Sequence, residues 1–453
     1  MNIAIIGGGA AGCFAAINIK RNYPEARVTV IESGRKLLAK VAITGGGRCN
    51  LTNSFRDIRS IAAAYPRGEK LMKRLLREFS HDDTMAWFER EGVRLVTQDD
   101  QCVFPKSQDA MEIVGTLTSL MRRLGVEVRT SCRVVKIETS LSGYEVAIIS
   151  GYEVATLTGC EVATLSGSND LKTSKPYNLK TSEPVSPSGD YGGLQLIFDR
   201  VVVTTGGSPK LSGLDMLAPL NLDIVTPVPS LFSICLPNHP ITELTGTVVE
   251  HASATLVGTK LRAEGPLLIT HWGMSGPAIL KLSSYAARQL HDSGYKAHIS
   301  VNWLGDANEG EAMETIMELA IKNPAKQLAS VYPQQFNSRL WTYLIKQSNL
   351  NPSQRWSELA KKSFNKLVNT LVNDQYLMDG KNRFKEEFVT CGGVALSNIN
   401  PKTMECRNYP GLYFAGEVLD VDAITGGFNL QAAWSMAWVV SNNFRQNQQF
   451  ENQ

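Results

Sequence analysis

The sequence predicts an α/β fold in which both ends of the chain build one domain and the middle is inserted into it. Three observations predict this. The chain opens on an apolar run, a glycine turn and a helix-compatible segment, "NIAII-GGGAAG-CFAAINIKRN". A second unit of the same kind, "GLYFAGEVLDVDAITGGFNLQAAW", stands near the other end. Between them the pattern changes twice, first to short β-like runs broken by Pro and Gly, then to helical periodicity. The 453 residues are also more than one domain usually takes. The expected units are 1–207 with 372–453, a β-rich part at 208–305, and a helical part at 306–371.

Residues 2–6 read as a strand buried on both faces. "ARVTVIE" is a second strand, ending at Glu32. "KLMKRLLREF" reads as a helix with Lys70, Lys73, Arg74 and Arg77 along one face. That stripe is a solvated helix face or, alternatively, a phosphate contact. Residues 110–124 read as helix and "VEVRTSCRVVKIE" as strand. The stretch 142–188 repeats every eight residues ("SGYEVAII SGYEVATL TGCEVATL", then "LKTSKPYN LKTSEPVS") and reads as a repetitive insertion at the surface. "LQLIFDRVVVTTGG" returns to buried-strand character. Segments such as "EAMETIMELAI" and "SELAKKSFNKLVNTLV" carry the helical part.

Composition narrows the function. A net charge of +3 is too small to imply nucleic acid or membrane by itself. The cysteines at 13, 49, 102, 132, 160, 235, 391 and 406 form no C-x-x-C pair, so neither a disulfide framework nor a zinc site is expected, and no metal is assigned. No apolar run approaches the roughly 20 residues of a membrane helix. The N-terminus has no basic leader pattern. A soluble, cytoplasmic protein is expected.

The opening turn carries the first chemistry. Gly7-x-Gly9-x-x-Gly12 sits between strand and helix, and Glu32 closes the next strand 20 residues beyond Gly12. Gly7 permits the turn, Gly9 lets a pyrophosphate approach the backbone, and Gly12 packs helix on sheet. The helix then aims its N-terminal N–H groups at phosphate, and Glu32 accepts from a ribose diol. This is a dinucleotide-binding Rossmann unit. Its second, C-terminal counterpart selects a flavin over a nicotinamide, because the ribityl and isoalloxazine end must also be held. Glu417 suits ribityl hydroxyls, and Gly426 and Gly427 admit the ring. The helix opening near Asn429 offers its positive end to the flavin edge that turns negative on reduction.

These motifs, together with "TGGGRCNLTN", "VFPKS", "THWGMSGPAILKLS" and "VTCGGVALSNINPKTME", resemble the YhiN-like flavoproteins, also called the BaiN/RdsA or aminoacetone-oxidase-like FAD-dependent family. The resemblance spans most of the chain outside 140–195. It implies a Rossmann-type FAD-binding domain built from both chain ends, with an inserted β-barrel-like domain and a helical domain. It implies non-covalent FAD held by Gly7, Gly9, Ala11 and Gly12, by Glu32 and Ser33, and by Gly46, Gly47, Arg48, Cys49 and Asn50 of the glycine loop. It extends the set to Val134, Thr205 and Gly206, and to Gly416, Glu417, Asp420, Gly427, Phe428, Asn429 and Leu430. Two departures stand out. Cys102 occupies a position before "VFP" where the family often has a basic residue, and the stretch after Gly207 is short.

No catalytic residue is fixed by the sequence. Cys49 reads as a small buried side chain or as a reactive thiol whose pKa Arg48 would depress. His271 reads as a substrate contact or as a structural histidine. Ser275 lacks nucleophile-elbow spacing. No second GxGxxG unit serves NAD(P)H, so a nicotinamide donor would dock transiently over the flavin. The expected activity is an FAD-dependent oxidoreductase that takes hydride from NAD(P)H and reduces an unsaturated acceptor, either a small molecule or RNA. The resemblance keeps alternatives open: reduction of uridine to dihydrouridine in ribosomal RNA, oxidation of an aminoacetone-like amine, or a non-catalytic flavin sensor.

Overall fold

The computed structural model describes residues 1–141, 143–150, 194–208, 210–382 and 389–444. Its centre is a five-stranded sheet in the order Leu412–Phe414, Arg200–Val203, Asn2–Ile6, Arg27–Ile31, Glu127–Arg129. Every pairing in it is parallel. Ile3, Ala4, Ile5 and Val201 to Val203 are wholly buried, which is why these strands read as unbroken apolar runs.

The N-terminal helix, Ala10–Asn22, packs along the C-terminal helix, Phe428–Asn442. Both are buried over most of their length, so neither shows a clear polar stripe. Phe14 anchors their contact, with ring centroids 4.6 Å from Trp87 and 5.3 Å from Trp434. Removing such a buried ring costs about 3–5 kcal/mol. The two ends of the chain therefore share one core with the parallel sheet, as the motif pairing predicts.

The inserted sheet is antiparallel and six-stranded: Ile234–Cys235, Gly273–Ser275, Arg262–Thr270, Val248–Leu256, Lys296–Asn302, Asp374–Asp379. Its first strand also meets the end of its last. Ile234 bridges Lys381, and Cys235 N–H donates to Gly380 O at 2.9 Å. The sheet thus nearly closes on itself as a barrel-like layer.

Three details differ from the sequence expectation. The strand Asp374–Asp379 lies beyond residue 371 yet pairs with Lys296–Asn302 in the inserted sheet, and its buried–exposed alternation suits that edge. Helices Pro277–Tyr285 and Ala287–Asp292 fall inside the stretch read as β-like. Their buried Ile279, Leu282, Ala286 and Leu290 recur at helical spacing, a period masked by the neighbouring Pro and Gly turns. The helices Glu309–Lys322, Ser338–Gln347 and Lys361–Val372 share a single core with the sheet around Trp303, Trp341 and Trp356.

Of the repetitive stretch 142–188, Gly143–Ser150 is a strand between Cys132–Ser140 and Leu194–Phe198. Residues 142 and 151–188 lie outside the described residues. The ladder brings Ile148 opposite Leu194. Replacing 151–193 by a two-residue Asn-Gly turn should therefore leave the thermal midpoint nearly unchanged, since loop length contributes only about 0.6 kcal/mol per doubling. A calorimetric scan showing loss of the folding transition would place the excised residues in a core.

Candidate cofactor site

The turn after the first strand is shaped by close packing on one side and open space on the other. A Cβ at Gly7, whose φ is +109°, would lie 2.4 Å from Thr204 O, and one at Gly12 would lie 2.0 Å from Gly7 O. A Cβ at Gly9 would meet nothing within 4 Å. Thr204 Oγ1 donates to the carbonyls of Ile6 (3.0 Å) and Gly7 (2.8 Å), fixing the turn from the neighbouring strand. Glu32 braces it from the other side by accepting from Gly8 N–H (2.8 Å) and Gly34 N–H (2.6 Å). Ser33 Oγ faces the same carboxylate at 3.3 Å. Cys132 N–H donates to Glu32 O at 2.9 Å, so the strand that carries Val134 begins beside the acid. On the far side of the turn, Thr205 is exposed and Gly206, with φ +77°, has open space beside it.

A short helical stretch that begins at Ala39 leads into the glycine loop. Helical dihedrals stop at Thr44, and Gly45, Gly46 and Gly47 follow at φ +61°, +70° and +83°. Three successive left-handed residues are what glycine permits and other residues resist. A Cβ at Gly45 would crowd Asn50 N at 2.9 Å, whereas at Gly46 and Gly47 nothing lies within 4 Å. Arg48 is turned toward its own loop. Its Nε donates to Gly45 O (3.1 Å), and its guanidinium sits 4.5 Å from the Phe104 ring centroid. Cys49 is wholly buried at φ +62°, and burial pushes its thiol up to about 12. The depressed pKa that a reactive thiol would need is absent, because desolvation outweighs any influence of Arg48.

Asn50 joins this loop to the C-terminal motif. With its amide oriented to satisfy both contacts, it donates to Thr52 O (3.0 Å) and accepts from Gly427 N–H (3.2 Å). A Cβ at Gly427 would lie 2.4 Å from Thr52 O. Gly416 packs on the N-terminal helix, where an added Cβ would lie 3.2 Å from the Ala11 side chain. Glu417 accepts from Thr390 N–H (2.7 Å) and faces Lys40 at 3.5 Å. Asp420 accepts from Gly392 N–H (2.9 Å) and Arg288 (3.3 Å), a structural set of partners. Phe428 is buried, and Asn429 exchanges hydrogen bonds with Ala423 at 2.9 and 3.0 Å. Leu430 is half-buried in the same first turn.

Neither the N-terminal nor the C-terminal helix carries a side-chain cap at its N-terminus. Both follow strands of the parallel sheet, so both positive ends lie at its carboxyl edge, where open α/β folds bind their ligands. The open sides of Gly9, Gly46, Gly47 and Gly206 and the carboxylate of Glu32 fit a flavin dinucleotide. His271 lies apart, on the exposed turn between Arg262–Thr270 and Gly273–Ser275, its ring edge-on to Trp272 at 4.4 Å.

The match to known proteins runs the same way. A family model described as "HI0933-like protein Rossmann domain" covers residues 1–443. The chain belongs to that family. It is 29% identical over 96% of both chains to a ribosomal RNA dihydrouridine synthase of Escherichia coli (strain K12). It is 25% identical over 97% of both chains to a 3-dehydro-bile acid delta(4,6)-reductase of Clostridium scindens. Among solved structures, a 3-ketosteroid delta1-dehydrogenase from Sterolibacterium denitrificans covers 97% of the chain at 10% identity and a TM-score of 0.47. The family is one of FAD-dependent oxidoreductases, and this chain is an enzyme of that class. No group of His, Cys, Asp and Glu among the described residues could hold a metal ion. No described helix is long and apolar enough to cross a membrane.

Sequence reasoning missed Thr204, which holds the first turn, and the pair Arg67 and Asp422, which holds the last. Each is an ordinary polar residue whose partner lies hundreds of positions away, so spacing gives no signal.

Gly46 and Cys49 separate the two readings of this loop. Gly46→Val is strained at its positive φ by about 1–3 kcal/mol and obstructs the open side, so it should lose FAD. Cys49→Ser should keep FAD and its reduction. Flavin absorbance of the purified variants checks both, and full flavin with abolished turnover in Cys49→Ser would make the thiol the reacting group.

Proposed function

We propose that the chain binds FAD non-covalently across both helix N-termini, takes hydride from NAD(P)H, and reduces a carbon–carbon double bond of an acceptor. The observation that carries this is the pair of uncapped helix starts brought together at one sheet edge. The N-terminal helix and Glu32 would hold the pyrophosphate and the adenosine ribose. The glycine loop would line the ring through its backbone. The C-terminal helix start would stabilise the negative charge that the flavin edge gains on reduction. FAD, when bound, supplies the hydride-carrying ring; the protein supplies orientation and shelter from water. Donor and acceptor would use the same face in turn. The acceptor takes the hydride on one carbon and a proton on the other. The names of both relatives denote such a reduction, one on a bile acid and the other on uridine in ribosomal RNA.

A second reading, an RNA acceptor, is favoured by one surface. Lys70, Lys73 and Arg77 are exposed on the helix Glu69–Glu78, and Arg74 and Lys402 line an adjoining cleft with Asn400, Asn443 and Glu78, the last paired with Arg74 at 3.7 Å. Salt-dependent contact with phosphates would follow from that arrangement.

The purified protein should be yellow and release FAD on heating, and anaerobic NADPH or NADH should bleach it. Glu32→Ala should weaken FAD by about 1.5–3 kcal/mol, the scale of a hydrogen bond to a charged group. Colourless protein that FAD cannot reconstitute would end this reading. If RNA is the acceptor, replacing Lys70, Lys73, Arg74 and Arg77 by Gln should flatten the salt dependence of RNA binding and leave bleaching intact. Unchanged RNA modification would return the stripe to a solvated face.

A further inference from the structure

We propose that Arg67 and Asp422 form a buried clamp that positions the start of the C-terminal helix relative to the inserted lobe. Asp422 is wholly buried and Arg67 largely so, and their hydrogen bonds run to protein groups, so both act through the loop rather than on the cofactor. The inference rests on the reading that this helix start faces the flavin ring.

The pair joins three parts of the chain. The Asp422 side chain is fully buried and that of Arg67 is 15% exposed. Arg67 Nε donates to Asp422 Oδ1 at 2.5 Å, and Nη2 donates to the other carboxylate oxygen. The same guanidinium reaches the inserted lobe through Nη1, which donates to Ser284 O (2.7 Å) on the helix Pro277–Tyr285, while Nη2 donates to Ser230 Oγ (3.2 Å) at the end of the strand Ile224–Ser230, which pairs with Val389–Val394. Ser230 Oγ in turn donates to Asp422 at 2.7 Å. Burial works against both charges: the hydrogen bonds and charge of Asp422 still hold Arg67 above its ordinary value, whereas burial pushes the Asp422 carboxyl up against the opposing pull of Arg67 and Ser230. Among the described residues neither buried group has another oppositely charged partner as near, so the fork between them is what holds the pair together. A buried ion pair is a poor source of stability compared with apolar packing of the same volume. What it supplies is a fixed fork geometry in which both planes must align.

That geometry is passed on to the helix start in two short steps. Residues 64–67 run against 422–424, through the Arg67–Asp422 bridge and an Ile424 N–H to Ala64 O bond of 2.9 Å. Ala423, next to Asp422, exchanges both hydrogen bonds with Asn429 in the first helical turn. Tyr65 OH adds a bond to Phe428 O at 2.9 Å. The approach is also sterically tight. Gly68 is at φ +81°, and a Cβ there would lie 2.6 Å from Val421 Cγ2. A shift of Arg67, of Asp422, or of the strand and helix carrying Ser230 and Ser284 would therefore move the backbone donors at the helix start.

Those donors act more strongly on reduced than on oxidised flavin, because the ring edge gains negative charge on reduction. Loosening the clamp should lower the flavin's midpoint potential while the pyrophosphate and ribose contacts still retain FAD. The test uses the FAD-loaded protein, with potential measured by equilibrium reduction with dithionite against a reference dye, beside FAD affinity and thermal midpoint. Arg67→Gln should keep FAD affinity within about threefold of wild type and shift the potential to more negative values, and Arg67→Lys should recover part of the shift. An Arg67→Gln protein with a lowered thermal midpoint but a wild-type potential would overturn the clamp and leave an ordinary structural ion pair. If Arg67→Gln fails to fold, Gly68→Ala keeps both charges and displaces Val421; it should give the same negative shift, and an unchanged potential there would overturn the clamp. Wild-type protein that binds no FAD would overturn the reading of the site and the clamp together, whereas FAD-loaded wild type with an indifferent Arg67→Gln would overturn the clamp alone.

Discussion

The packing of the N-terminal helix against the C-terminal helix is the contact on which the site depends. Each helix follows a strand of the same parallel sheet, and each is too apolar to stand beside water. Bringing them together buries Phe14 and Trp434 in one aromatic cluster with Trp87. The same act places two uncapped N-termini at one edge. An isolated helix start gains about 0.3–1 kcal/mol from a nearby anion. Two of them at one edge would suit a dinucleotide held by its phosphates at one start and by its ring at the other.

The glycines divide into two kinds, and the division explains the site better than their number does. Gly7, Gly12 and Gly427 are required by the protein itself, because a Cβ would strike neighbouring backbone. Gly9, Gly46, Gly47 and Gly206 border open space; the left-handed backbone at 46, 47 and 206 itself favours glycine, whereas Gly9 has neither a positive φ nor a crowding neighbour and so leaves room for a ligand. Cys49, by contrast, faces inward and is held protonated by its surroundings.

Much of this was legible in the sequence where local patterns carry it. The apolar runs, the GxGxxG turn, Glu32 and the second glycine unit all act through neighbours a few residues away. The near-closure of the inserted sheet was foreseen only through family resemblance, because its first and last strands are separated by over a hundred residues. The helix at Pro277–Tyr285 was hidden by flanking turn residues, and the strand at Asp374–Asp379 by its position after a helical stretch. Arg67 and Asp422 illustrate the harder limit. A lone Arg after Pro and an Asp in an acidic run give no local cue, and their meaning comes from a contact across 355 positions.

The most direct test is a crystal structure of the FAD complex. The account predicts pyrophosphate oxygens about 3 Å from the N–H groups that open the N-terminal helix, and the flavin O2 edge at the same range from those that open the C-terminal helix. FAD bound with its ring away from the C-terminal helix start, or with its phosphates away from Gly9, would contradict it.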